Sequence, residues 1–149
     1  MQVQVNVRER ILKPINEVFE AIMDPTKMSR YFTSSASGRL KAGTMVTWEF
    51  ADVGAKIDVD VVEIQEDRRI VVEAAMSGPK TRITMDFKAD DPHITVLTIN
   101  ESDFPLDAEG VKRAMGQTAG WTYFLACLKA NLQFSVDLRA GLNKKLTDV

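Results

Sequence analysis

The 149-residue chain holds one cysteine, one histidine and two tryptophans, so it has few of the side chains that carry redox, metal or stacking chemistry. Cys127 alone excludes an internal disulfide, and its place in an apolar helical pattern points to a reducing compartment. As a nucleophile it would need an activating neighbour. His93 follows Asp90-Asp91-Pro92, a turn-forming cluster, which makes it a strand-edge residue and not half of a Cys-His pair. No zinc ligand set, glycine-rich phosphate loop or G-x-S-x-G elbow is present, so no metal, no cofactor and no catalytic motif is expected. The net charge of −2 is interspersed along the chain and Lys144-Lys145 is too short a basic run to matter, which excludes a continuous footprint for nucleic acid or an anionic membrane. No apolar run approaches the roughly 20 residues that span a bilayer, and no basic segment leads into an apolar one at the start. A cytoplasmic protein of one domain, residues 1–149, is expected, long enough to bury roughly 70% of its unfolded surface.

What is present is a change of hydrophobic period along the chain. Val3, Val5 and Val7 alternate with Gln4, Asn6 and Arg8, the two-residue period of a half-buried strand. Pro14 sits at a first helical position, and Ile15, Val18, Phe19 and Ile22 then form one apolar face. Asp24-Pro25 ends that helix, and a second short helix is predicted over Thr26 to Tyr31. Only Lys27 and Arg30 make it basic, which argues against a DNA-reading helix-turn-helix.

From Ser34 to Glu101 strand periods take over. Val46, Trp48 and Phe50 share a face, and Asp52-Val53-Gly54 turns the chain. Ile57, Val59 and Val61 continue the pattern before its phase moves to Val62 and Ile64, the mark of a bulge in a curved sheet. Ile70, Val72 and Ala74 follow a charged tip at 66–69, then Thr81, Ile83, Met85 and Phe87 alternate with polar residues. The last strand, His93 to Glu101, puts Leu97, Ile99 and by continuation Glu101 on the core face. Asp107 is a predicted N-cap for a long amphipathic helix carrying Val111, Met115, Thr118, Trp121, Leu125, Leu128, Leu132 and Val136. Gly110, Gly116 and Gly120 weaken its early part, leaving the portion beyond Met115 secure, with Gly120 read as a close-packing position. Gly141 is read as its stop and Leu142 to Val149 as a tail.

Several residues carry two readings. Trp48 and Trp121 either flank a ligand or pack the core, where burial of one ring contributes on the order of 4 kcal/mol. The seven methionines suit an adaptable pocket or an irregular core. Glu101 is either an acid/base at the inner end of a strand or a solvated rim residue; the rim reading is preferred, because a one-residue phase error turns it outward. Asp58 and Asp60 form a carboxylate pair on a strand face, with no third ligand nearby in sequence to hold a metal.

The order of these elements carries a resemblance: the Pro14-opened helix with Val18-Phe19, Asp24-Pro25, Gly43 before a Trp48 strand, then Gly120-Trp121 with Leu125, Leu128-Lys129 and Leu132. The chain resembles the bacterial single-domain branch of the family named for the heat-shock protein 90 ATPase activator, within the START/polyketide-cyclase-like (SRPBCC) helix-grip superfamily. Tyr31-Phe32 stands where many relatives have a Trp, followed by the serine-rich segment Ser34 to Gly38. The resemblance implies an α+β helix-grip fold: a strand, two short helices, a run of antiparallel strands and a C-terminal helix gripped by the sheet. Chaperone-activating members carry an additional N-terminal domain for which these residues leave no room, so chaperone activation is not carried over.

The expected function is a domain holding an apolar or amphipathic small molecule between the long helix and the sheet. Its expected lining is Phe32, Trp48, Phe50, Ile83 and Met85 with Phe87, Leu97, Met115, Trp121 and Leu125. An enzyme of the cyclase or hydrolase type would use the same cavity, with Glu101 as acid/base and Tyr31 as hydrogen-bond donor. That alternative requires Glu101 to face inward. A third reading is a stress- or chaperone-associated module contacting a protein partner, or a second copy as a homodimer, through the sheet face or the segment Phe32 to Gly38.

Overall fold

The structure, a computed structural model, describes residues 2–140. β1 (Gln2–Ile11) is followed by α1 (Ile15–Met23), α2 (Pro25–Met28) and the two-residue β2 (Ser35–Ala36). Then come β3 (Met45–Phe50), β4 (Ala55–Gln65), β5 (Arg69–Ala74), β6 (Thr81–Asp91), β7 (Ile94–Pro105) and α3 (Ala108–Phe134). The strands form one antiparallel sheet in the order β1-β7-β6-β5-β4-β3-β2. α3 packs mainly on β1 and β7 across the inner face, the α+β helix-grip arrangement.

Local chemistry accounts for the boundaries. Asp24 caps α1 in an extended conformation and accepts the amides of Thr26 and Lys27 at the start of α2, with Pro25 at the first helical turn. α2 is thus one turn, shorter than the predicted span to Tyr31. Part of the serine-rich segment forms an edge strand: Ser35 and Ala36 pair with Glu49 and Trp48 as β2. The phase change in β4 is a bulge between Val61 and Glu63, which turns Val62 outward. A second bulge lies in β7, where Val3 pairs with Phe104 and Val5 with Glu101, with Asp103 at φ 77°. It keeps both Glu101 and Phe104 on the inner face, three residues apart.

α3 differs most from its predicted form. Asp107 does cap it, accepting the Gly110 amide at 2.7 Å, but the helix runs unbroken through Gly110, Gly116 and Gly120. Its first turns present Gly110, Arg113 and Ala114 to the sheet, whereas Val111 and Met115 are exposed. Gly110 is required there, since a Cβ would lie 1.9 Å from the carbonyl oxygen of Pro105. Arg113 follows because its guanidinium covers the Phe104 ring at 5.1 Å and donates to the carbonyls of Ser77 and Pro79. The helix ends at Ser135, in the left-handed conformation at φ 56°, well before Gly141. Gly141 itself and the tail Leu142 to Val149 lie outside the described residues.

The core occupies the space between α1, α3 and the sheet, with Phe19, Trp48, Ile83, Leu97 and Phe124 all essentially buried. No helix of the described residues is long and apolar enough to cross a membrane.

Candidate functional site

On the side of α3 facing β3 and β4, aromatic side chains leave a partly open pocket of about 230 Å³. Phe32, following α2, is its hub: its ring meets Phe124 at 4.8 Å, Phe50 at 4.9 Å and Trp48 at 5.6 Å, each close to edge-to-face. Such pairs hold rings in defined orientations. Phe50 and Ile57 from β3 and β4 form one wall. Gln117, Trp121, Phe124 and Cys127 form the other, and Met76 and Arg139 close the ends. Gly120 borders the pocket from this wall, and a Cβ there would meet nothing within 4 Å. Its predicted role in close packing is therefore replaced by a gap in the helix surface.

Of the expected lining, Phe32, Phe50 and Trp121 stand at this pocket. Trp48, Ile83, Met85, Phe87, Leu97 and Leu125 belong to the packed core, and Met115 is 69% exposed on the outer face of α3. The residues sequence reasoning missed are Ile57, Met76, Gln117, Gly120, Tyr123, Phe124, Cys127 and Arg139. Phe124 was legible as the α3 residue three positions after Trp121, and Cys127 as the one three positions after Phe124, along an inclined row of the helix surface. Arg139 had no sequence signal, because it comes to the pocket only when the chain turns back after Ser135.

Glu101 is fully buried, which overturns the solvated rim reading. Its Oε1 accepts from Trp121 Nε1 at 2.7 Å and Gln117 Nε2 at 2.9 Å, and its Oε2 from Thr81 Oγ1 at 2.6 Å. The carboxylate lies behind the pocket wall, holding two residues that line it. Tyr31 is buried too, and its hydroxyl donates to the Ala21 carbonyl at 2.9 Å. Burial pushes that hydroxyl well above its ordinary titration range.

Cys127 lines the pocket with its thiol raised by burial, an effect the Tyr123 hydroxyl and the Arg139 cation only partly offset. His93 is exposed on the β6–β7 turn, where its amide donates to Asp91. Among the described residues no cluster of three or more His, Cys, Asp or Glu could hold a metal. Asp58 accepts from Thr47 and Asp60 pairs with Lys80.

Arg139 is the one charged residue at the pocket among those described. Its guanidinium lies 5.7 Å from the Phe50 ring centre and 6.0 Å from that of Phe32, and Nη2 donates to Asp52 Oδ2 at 2.8 Å. Beyond it lies a second, polar hollow of about 260 Å³, which also reaches Phe32 and Arg139 and is lined by Thr33, Asp52 and Asp137. Thr33 Oγ1 and Asp52 Oδ1 are buried without a hydrogen-bond partner among the described residues.

Comparisons with known proteins agree with this architecture. A protein from Staphylococcus saprophyticus, SSP2350, is similar at 28% identity and a TM-score of 0.79, over 92% of this chain and 96% of that one. The Aha1 dimer from Colwellia psychrerythraea is similar at 18% identity and a TM-score of 0.76, over 89% of this chain and 97% of that one. DynU16, described as a putative protein in the dynemicin biosynthetic locus, is similar at 22% identity and a TM-score of 0.79, over 89% of this chain and 48% of that one. The last two likenesses show the fold alone. No curated protein matches the sequence. The family model described as "Activator of Hsp90 ATPase homolog 1-like protein" matches residues 13–133, and the chain belongs to that family.

Proposed function

We infer that the protein binds a small apolar or amphipathic molecule in the pocket between α3 and the β3–β4 side of the sheet. The observation that carries this reading is the pocket itself: about 230 Å³, walled by Phe32, Phe50, Trp121 and Phe124, and bordered by Gly120 in the middle of a helix. A packed interior closes such space, because voids forfeit dispersion contacts. Aromatic walls with a few placed polar groups are the usual composition of a small-molecule site. At this volume the occupant is smaller than a drug-sized molecule, which takes roughly 300 Å³ or more.

The alternative of a cyclase- or hydrolase-type enzyme meets its stated condition, since Glu101 faces inward. It is the weaker reading because Glu101 is not itself at the pocket and Tyr31 has donated its hydroxyl to the Ala21 carbonyl. Acid/base work would need Gln117 or Trp121 to move aside. Self-association or a chaperone-associated partner is supported here only by the fold shared with a neighbour described as a dimer.

The test compares the intact mass of protein purified gently from its source under native and denaturing conditions. A reproducible non-covalent mass lost on denaturation is expected. A bare chain in both conditions, together with no response of the pocket residues to added aromatic molecules, would overturn the reading.

A further inference from the structure

Resting on that reading, we propose that the pocket selects single-ring aromatic molecules bearing a neutral oxygen acceptor, such as a ketone carbonyl, over plain hydrocarbons and over carboxylates, with Arg139 and Asp52 setting the selectivity. Size comes first. A cavity of about 150 Å³ lined by apolar side chains already accepts benzene, so 230 Å³ admits one substituted ring.

Polarity comes from Arg139. Its side chain is 15% exposed, and a guanidinium carries five N–H donors. Among the described residues, the only acceptor its side chain meets within hydrogen-bond distance is Asp52 Oδ2. Arg139 borders the apolar pocket as well as the polar hollow, and a donor left without an acceptor on the apolar side is costly. A ligand oxygen directed at this end of the pocket would supply the missing acceptor while its ring stacks among Phe32, Phe50 and Trp121.

Charge then decides which oxygen. Asp52 already neutralises the guanidinium, and Asp137, whose Oδ1 accepts the Arg139 amide at 3.0 Å, adds a second carboxylate beside it. A carboxylate ligand would be a third anion around one cation. A carbonyl takes the same hydrogen bond without that repulsion.

The experiment follows the Trp121 indole N–H by NMR while acetophenone, toluene and benzoate are titrated separately. Acetophenone is expected to bind about tenfold more tightly than toluene, the scale of one hydrogen bond from a charged donor, and more tightly than benzoate. Arg139→Met should remove the advantage of acetophenone over toluene, whatever the variant does to toluene itself, and Arg139→Lys should keep part of the preference. Asp52→Asn should raise benzoate above toluene, because it removes the carboxylate paired with the guanidinium. Melting temperatures of the variants report whether the fold is intact, and the toluene affinity reports whether the pocket is.

If toluene moves Trp121 but acetophenone gains nothing over it, or if Arg139→Met keeps the preference, this proposal is overturned and the pocket reading stands. If Asp52→Asn leaves benzoate weakest, the role given to Asp52 is overturned. If none of the three moves Trp121, both readings fall together.

Discussion

The indole nitrogen of Trp121 donates to the Glu101 carboxylate across 2.7 Å, tying the middle of α3 to the inner face of β7. The same carboxylate oxygen takes Gln117 one turn earlier, and the second oxygen takes Thr81 from β6. One buried side chain therefore fixes a wall of the pocket. The Glu101→Met variant keeps a similar length but removes both acceptor oxygens, leaving the buried donors of Trp121 and Gln117 without a partner. A loss of about 1–3 kcal/mol is expected, with both Trp121 and Gln117 released. Denaturant unfolding measures the loss, and an upfield shift of the Trp121 indole proton reports the broken bond.

Glycines on the same helix should respond in opposite directions. Gly120→Ala adds a methyl group that meets nothing, so removing a helical glycine should stabilise the protein by up to about 1 kcal/mol. Gly110→Ala drives a Cβ into the Pro105 carbonyl and should cost about 1–3 kcal/mol or more. For a chain of this size each kcal/mol moves the melting temperature by about 2–4 °C, so thermal unfolding separates the two.

Cys127 should react slowly with thiol reagents at neutral pH. Burial holds its thiol above the ordinary range, so the reactive thiolate is scarce and the rate should climb through the alkaline range. Because the residue lines the pocket, an aromatic molecule bound there should slow the reaction further. Ellman's reagent, with and without toluene, measures both effects.

Glu20 is held below the usual carboxylate range, first by its hydrogen bonds from Arg39, at 2.6 and 2.7 Å, and then by that cation's charge. A lowered folded-state value contributes stability above the unfolded carboxylate range, and that contribution disappears as pH falls through the folded value. The pair is half exposed, so its coupling should stay below about 1 kcal/mol. A double-mutant cycle with Glu20→Gln and Arg39→Ala should show this coupling at pH 7 and its loss near pH 2.

The fold was largely legible because its signals are local. Alternating residues such as Ile83, Met85 and Phe87 reveal a strand's inner face, and Asp24-Pro25 and Asp107 mark helix boundaries through their own side chains. The first turns of α3 were misread because apolarity there does not mark the buried face. Gly110 is inside by steric need and Arg113 by covering Phe104, while Val111 and Met115 face out.

The pocket was legible only in part, through Phe32, Phe50 and Trp121. Inward-pointing residues such as Met85 and Leu97 share the correct face, yet which of them meet other side chains and which meet open space depends on where α3 lies along the sheet. Arg139 is placed by a reversal after Ser135, at a residue type that rarely adopts a left-handed conformation. The inward face of Glu101 did follow from alternation along β7, even though the solvated reading was preferred.

The central claim is that the space beside Trp121 binds small molecules while the equally buried Trp48 belongs to the core. The most direct measurement follows both indole N–H resonances as an aromatic molecule is titrated into the protein and into its Gly120→Phe variant, which projects a ring into the pocket. The account predicts a saturable shift at Trp121, little change at Trp48, and no saturable shift in the variant. Equal shifts at both indoles, or an unchanged titration in the variant, would contradict it.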